Sequence, residues 1–320
     1  GYWVWLIPLS SGSTSIGIVA DPALHPLDSY NTFDKSMAWL DQHEPACAEA
    51  IRGALADGAA LQDFKVLKRY AHGSDRVFSA DRWACTGDAG MFLDPFYSPG
   101  SDFISISNTF ITDLVCRSLE GRGVRVAAGL YERMYQTFFA TGLTLYQDQY
   151  PLFGNPKVMP VKILWDYCYY WSISGPLFFT GSLTSVQVLA RAGRDLTRAV
   201  DLNRRMQQFF RDWDSVERGP VQDAFLDCAQ VDTAWDLNAR LPEQLDGRGV
   251  AGRLQANIDT LGRIAAEIVG VAQADHPSLT APPRVRPLLR PDGRLTTAYQ
   301  VLGLGTGARA SDAHRAAAVA

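Results

Sequence analysis

A chain of 320 residues is long enough to bury a sizeable core as one large domain or two ordinary ones. Nearly half of its residues are hydrophobic and a fifth are charged, which excludes a disordered polymer, and a net charge of -4 gives no global attraction for nucleic acid. Cys47, Cys85, Cys116, Cys168 and Cys228 form no CxxC pair and the five histidines are dispersed, so the pattern reads as reduced thiols of a cytoplasmic protein with no metal site.

The chain opens on the run WVWLIP, Trp3 to Pro8. Strand alternation sets Tyr2, Val4 and Leu6 on one face and Trp3, Trp5 and Ile7 on the other. Both faces are apolar, which predicts a strand buried on both sides. Two indoles on one face also commit a large rigid aromatic surface. Ser10, Ser11, Gly12 and Ser13 supply a turn into a second β-rich run, Thr14 to Ala20, which completes a hairpin. A core-type strand at the first residues predicts that the chain is the later part of a longer protein. Helices are expected at 31–40 and 46–55, then strands near 64–70, 77–79 and 82–86, the last ending in a glycine turn. The first third is therefore α+β.

Beyond about Ser101 helix follows helix. One amphipathic series runs through Leu130, Met134, Phe138, Thr141 and Leu145, and another through Leu189, Ala192, Leu196, Ala199, Met206, Phe210 and Trp213. A third spans Leu254 to Val271. The longest apolar run, Ile163 to Leu183, is interrupted by Asp166, Ser172, Gly175 and Pro176, which suits a buried aromatic segment and not a membrane span. At its start Lys162 and Asp166 stand at helical i,i+4 spacing, either as a local ion pair or as an acid/base pair. The aromatic residues around them, Trp165, Tyr167, Tyr169, Tyr170 and Trp171, pack a core or line a substrate pocket. From about Asp275, Pro277, Pro282, Pro283, Pro287 and Pro291 alternate with Arg284, Arg286, Arg290 and Arg294 before an Ala-rich end. That composition predicts an extended basic arm and a weakly ordered tail. The expected division is 1–120, 121–274 and 275–320.

The chemistry-bearing stretch is Gly87 to Gly100, GDAGMFLDPFYSPG. A β-rich strand ends in Gly-Asp, a proline-ordered loop follows, and Gly100 leads into a helix carrying Ile104, Ile106, Phe110, Ile111 and Leu114. Gly87 permits close approach of the backbone, the Asp88 carboxylate accepts hydrogen bonds from a polyol, and the free amides of the helix start favour negative charge. The same residues equally describe a plain strand-turn-helix with Asp88 as a cap. His72, before Gly73 and Ser74, reads as a structural turn residue.

GDAGMFLDPFYSPG resembles the second flavin-binding segment of the FAD-dependent monooxygenases, and WVWLIP resembles the WxWxIP signature of their flavin-dependent halogenase branch. The order and spacing of the two also resemble that branch, over roughly residues 1 to 150. The resemblance implies part of an FAD-binding α/β monooxygenase fold with a mostly helical C-terminal region. It implies that Gly87 and Asp88 hold the ribityl chain and that Pro95 and Gly100 shape the loop beside the flavin ring. Trp3, Trp5, Ile7, Pro8 and Tyr97 would wall the oxidant from the substrate. Reduced FAD from a separate flavin reductase, O2 and chloride or bromide would yield hypohalous acid, which halogenates an electron-rich aromatic small molecule, free or carrier-bound.

Three departures accompany the resemblance. The GxGxxG fingerprint is absent, since Gly303 to Gly307 lacks a strand-helix setting, and the catalytic lysine of the family would lie upstream of Gly1; neither Lys157 nor Lys162 takes its role. This part alone is therefore expected to be inactive. The halide position, Ser/Thr-Gly in the family, is Pro99-Gly100 here, and proline has no amide hydrogen to donate. Tyr97 stands where tryptophan-specific members carry Glu, which points to phenol or pyrrole substrates. A monooxygenase that inserts oxygen without halide, and a non-catalytic flavin-binding protein, are the alternative readings.

Overall fold

The computed structural model describes residues 1–219, 224–288 and 293–305. It is α+β, with one antiparallel pair of strands and ten α-helices among those residues. Strand β1 (Tyr2–Pro8) pairs with β2 (Thr14–Ala20) in a register running from Tyr2↔Ala20 to Pro8↔Thr14. The expected burial of β1 on both sides is corrected: Leu6 and Ile7 are 48% and 50% exposed. A two-stranded ribbon has no third strand to cover it, and only its root is packed. There Tyr2, Val4 and Ile18 join a small cluster with Trp39, Leu40 and Ala48 from α1 (Phe33–His43) and α2 (Pro45–Ala56). Thr32 caps α1 through Lys35 N at 3.3 Å, and Pro45 occupies the first turn of α2, where its missing N–H costs nothing.

The three later strands are also corrected. Residues 64–70 form no strand, and 64–69 lie exposed, because no neighbouring strand among the described residues offers them a ladder. Residues 77–79 and 82–86 do meet, but through a single bridge, Phe78↔Ala84. The amides of Val77 and Phe78 donate instead to the carboxylate of Glu132, at 2.9 and 2.8 Å, so a side chain takes the place of a third strand.

The helical expectation is met from α3 (Pro99–Leu119) onward. Helix α4 (Arg125–Leu143) runs antiparallel to α3, as the ring pairs Phe110–Tyr131 and Phe103–Phe138 require. Its series stops at Leu143, so Leu145 lies in the following turn. Helices α5 (Val158–Ser172), α6 (Ser174–Phe179), α7 (Val186–Val216), α8 (Asp232–Ala239), α9 (Gly247–Asp275) and α10 (Thr296–Leu302) complete the body. Ser185 caps α7, and Asp246 caps α9 through Gly249 N at 2.7 Å. One core cluster extends from Val77 to Leu304 and so includes residues on both sides of positions 120 and 274.

Beyond Asp275 the described part of the arm, 276–288, forms no helix or strand, and the chain after Asp275 packs against the core. Leu279, Leu295, Tyr299 and Leu302 are buried in that core, and Leu288 N donates to Ala266 O at 3.0 Å. A Cβ on Gly270 would come within 2.1 Å of the Leu288 carbonyl oxygen, so only glycine at this point of α9 admits the returning chain. Arg290 and Pro291 of the arm, Thr306 and Gly307, and the Ala-rich tail lie outside the described residues. Among the described residues no helix is long and apolar enough to cross a membrane.

Candidate active site

The hairpin and the Gly87–Gly100 turn, distant in sequence, converge on one carboxylate. Asp94 is buried; its Oδ2 accepts from Tyr150 and, at 3.2 Å, from Tyr70, while its Oδ1 accepts from Phe96 N at 2.9 Å. Trp3 Nε1 donates to the Tyr150 oxygen at 3.1 Å, and the Trp3 ring meets Phe96 with centroids 5.3 Å apart. Trp3, Tyr150 and Asp94 thus form a relay that fastens the WVWLIP strand to the turn. Burial pushes the Asp94 carboxyl above its ordinary range, against the pull of its hydrogen bonds. Sequence reasoning overlooked this residue; the signal was an ionisable group inside the apolar run Phe92 to Phe96 followed by proline, a turn-forming pair.

The indole wall is built from Trp3, Trp5 and Phe96. Trp3 and Trp5 lie with centroids 5.3 Å apart, and Trp5 Nε1 donates to Ser15 Oγ at 3.1 Å. The Trp5 ring lies across Gly17, its partner in the ladder, so closely that a Cβ there would sit 2.1 Å from the ring. Trp5 therefore also shields a strand glycine. Ile7 and Pro8 fall on the exposed half of the hairpin, away from the half-buried end that carries Trp3.

At the other end of the turn, Gly87 adopts φ +52°, and a Cβ on it would meet Ile104 Cγ1 at 2.5 Å. The close approach it permits is to α3. Thr86 Oγ1 and Ser107 Oγ, 2.7 Å apart, clamp the turn to the same helix. Asp88 is exposed, and its carboxylate has no hydrogen-bond partner among the described residues. It lies at the start of α3, with Oδ1 3.9 Å from where a Gly100 Cβ would be. No side chain caps α3: Ser98 is left-handed at φ 54° and Pro99 fills the first turn, leaving the amides of Gly100 and Ser101 without a side-chain acceptor. The exposed carboxylate can accept hydroxyl donors, and the unclaimed helix-start amides beside it favour negative charge; a ribityl chain and a reduced flavin ring would call for these two functions.

His72 does more than the turn role expected of it. Its Nδ1 and Nε2 each lie 3.0 Å from a carbonyl oxygen, of Tyr70 and Asp88 respectively. Carbonyls only accept, so both ring nitrogens carry hydrogen when both contacts are made, and these two bonds raise the imidazole pKa. Together with the bridge His72↔Phe92, the ring pins the Asp88 backbone.

Alternation through the loop sends Phe96 to the wall and Tyr97 the other way. The Tyr97 hydroxyl donates to Asp166 Oδ2 at 2.7 Å, and the same oxygen accepts from Lys162 Nζ at 2.5 Å. Lys162 and Asp166 are thus the buried ion pair and not a free acid and base; Asp166 Oδ1 is taken by Gln207 at 2.6 Å. Burial, then the Asp166 charge, holds the Tyr97 pKa well above normal. Tyr97, Pro99 and Asp102 stand at one end of an apolar cavity of about 490 Å³ between α3, α4, α5 and α7. The aromatic segment accordingly serves both readings: Trp165 is core, and Tyr167, Tyr169, Tyr170 and Trp171 line the cavity.

Comparison with known proteins points in one direction. The chain is 29% identical over 187 residues to the flavin-dependent halogenase chlA of Dictyostelium discoideum, covering 56% of this chain and 29% of that protein. It is 28% identical over 172 residues to a 1H-pyrrole-2-carbonyl-(peptidyl-carrier protein) brominase of Pseudoalteromonas luteoviolacea, covering 47% of this chain and 39% of that one. To the sulochrin halogenase gedL of Aspergillus terreus it is 29% identical over 106 residues, 31% of this chain and 18% of the relative. The matches thus span well under half the length of these relatives. No family model matches the chain, and no solved structure does.

Proposed function

Taking as premise that this chain is one of the flavin-dependent halogenase-like family, we propose that it forms the second flavin-contact segment and helical region of an oxidoreductase that halogenates an electron-rich aromatic. The observation that carries the reading is the convergence of the WVWLIP strand and the Gly87–Gly100 turn on Asp94, with a partnerless Asp88 carboxylate beside an uncapped helix start. The relevant fold is the FAD-binding monooxygenase type, and the cofactor is FAD, reduced by a separate cytoplasmic reductase.

Reduced flavin with O2 supplies the oxidising equivalent that converts chloride or bromide to hypohalous acid. Asp88 accepts the ribityl hydroxyls, Gly87 keeps the turn seated on α3, and Pro95 fixes the loop, its carbonyl taking Ser98 N at 2.8 Å. The amides of Gly100 and Ser101 favour negative charge at the ring. Trp3 and Trp5 exclude the aromatic substrate from the oxidant, so halide is oxidised first. In the final step the O–X bond breaks, the C–X bond forms on the ring, and the displaced ring proton leaves with hydroxide as water. Tyr97 occupies its place by bonding to Asp166, so it orients the loop and does not move a proton.

The brominase above is named for a carrier-bound pyrrole, and a carrier-bound or free pyrrole or phenol is the substrate class we assign. Pro99 supports a second reading: with one halide-binding N–H missing, the same framework serves a hydroxylase. Incubation of a protein that joins this chain to the GxGxxG- and lysine-bearing part with reduced FAD, a flavin reductase, O2 and a phenol or pyrrole, with and without bromide, separates the two by product mass. Halogenation requires bromide and exchanges one hydrogen for one bromine. A product that gains one oxygen in halide-free buffer rejects it.

A further inference from the structure

The cavity between α3, α4, α5 and α7 has a chemistry of its own. Along α3 it extends from Asp102 to Phe110, eight residues of helical rise or roughly 12 Å. Because α3 and α4 are antiparallel, Arg133 of α4 lies toward the Phe110 end, and the Tyr97–Pro99 loop closes the opposite end.

The charged groups on its wall differ in one respect. Asp166 has both oxygens taken inside the protein, and Asp102 Oδ1 accepts from the Tyr170 hydroxyl at 2.7 Å. Arg133 is exposed at the rim and its guanidinium has no carboxylate or carbonyl partner among the described residues. Tyr169 also lines the cavity, and its hydroxyl, which is not fully enclosed by the protein, has no hydrogen-bond partner among the described residues.

From this geometry we infer that the cavity binds an elongated apolar molecule with one anionic end, the anion on Arg133 and the apolar body along α3, with an oxygen of the ligand available to Tyr169. A volume of about 490 Å³ is of ligand size, and the lining is dominated by Phe103, Phe110, Met134, Leu189 and Leu196. A guanidinium prefers a carboxylate or phosphate over a neutral head because it offers paired, charge-assisted donors. Binding here involves neither Asp88 nor the indole wall and is measured without flavin, so its failure and the failure of the halogenase reading are separate results.

The test uses decanoate and its neutral counterpart decanol as probes, titrated calorimetrically into the purified protein. Decanoate is expected to bind at one site and more tightly than decanol. Arg133→Gln should weaken decanoate about tenfold and leave decanol unchanged, and Arg133→Lys should restore part of the difference. Thr137→Trp, at an exposed lining position of α4, should block both probes; its thermal unfolding, compared with the wild type, verifies that the fold survives. Should Thr137→Trp not fold, Met134→Trp is used in its place. Equal affinity of Arg133→Gln and wild type for decanoate, absence of decanoate binding, or full binding by a folded cavity-filling variant would each overturn the inference.

Discussion

Asp94 is the residue through which the two motifs communicate. Replacing it by alanine strands the hydroxyls of Tyr70 and Tyr150 and the Phe96 amide in a half-buried setting. Asp94→Ala is expected to cost about 1–3 kcal/mol in urea unfolding, and to shift Trp3 emission as Tyr150 is released. Asp94→Asn should cost less, since burial already disfavours the charged form. His72 contributes a pH dependence of definite sign. Its folded pKa is raised, chiefly by its bond to the Tyr70 carbonyl and then by that to Asp88, so its contribution is fully present below its unfolded value of about 6.5 and is lost as pH rises through the higher folded value. Ligand affinity at Asp88 should weaken over the same window in wild type and lose that pH dependence in His72→Gln, as a titration between pH 6 and 8, a range of roughly two units around that value, would record.

Among the elements, the turn Gly87–Ala89 and helix α3 make the sharpest prediction. Gly87→Ala meets a left-handed backbone and a 2.5 Å approach to Ile104, two penalties that together cost about 2–4 kcal/mol. Pairing it with Ile104→Ala should recover the steric part and leave the backbone part, which a double-mutant cycle in urea resolves. What was legible in the sequence follows from where each element finds its partners. Helices α1, α2, α4, α7 and α9 satisfy their own backbones and show their faces by period, so Leu189 to Trp213 and Leu254 to Val271 could be read directly. The strand expected at 77–79 depended on a partner no local pattern specifies, and Glu132, some fifty residues away, supplied it. The two-sided burial expected of β1 failed for the same reason, since apolar faces state a preference for cover and not its existence.

For the molecule as a whole, the motifs could be read as short strings, but their meeting point could not. Trp3, Tyr150 and Asp94 are separated by 56 residues or more, and neither of the two pairings among them leaves a trace in local spacing. Likewise the aromatic segment was visible at 165–171, but only the packing of α3, α4, α5 and α7 decides that one side of it faces a cavity. The matches cover 29% and 39% of the relatives chlA and the pyrrolyl brominase, so what is tested most directly in this chain is the flavin seat proposed for it. Titration of the protein with FAD under anaerobic, reducing conditions, followed by indole emission, measures that seat. We predict saturable quenching centred on Trp3 and Trp5, lost in large part in Trp3→Phe and weakened about tenfold by Asp88→Ala, the equivalent of about 1.4 kcal/mol of hydrogen bonding. Absence of saturable quenching, or an Asp88→Ala curve that overlays the wild type, would contradict a flavin held between the turn and the indole wall.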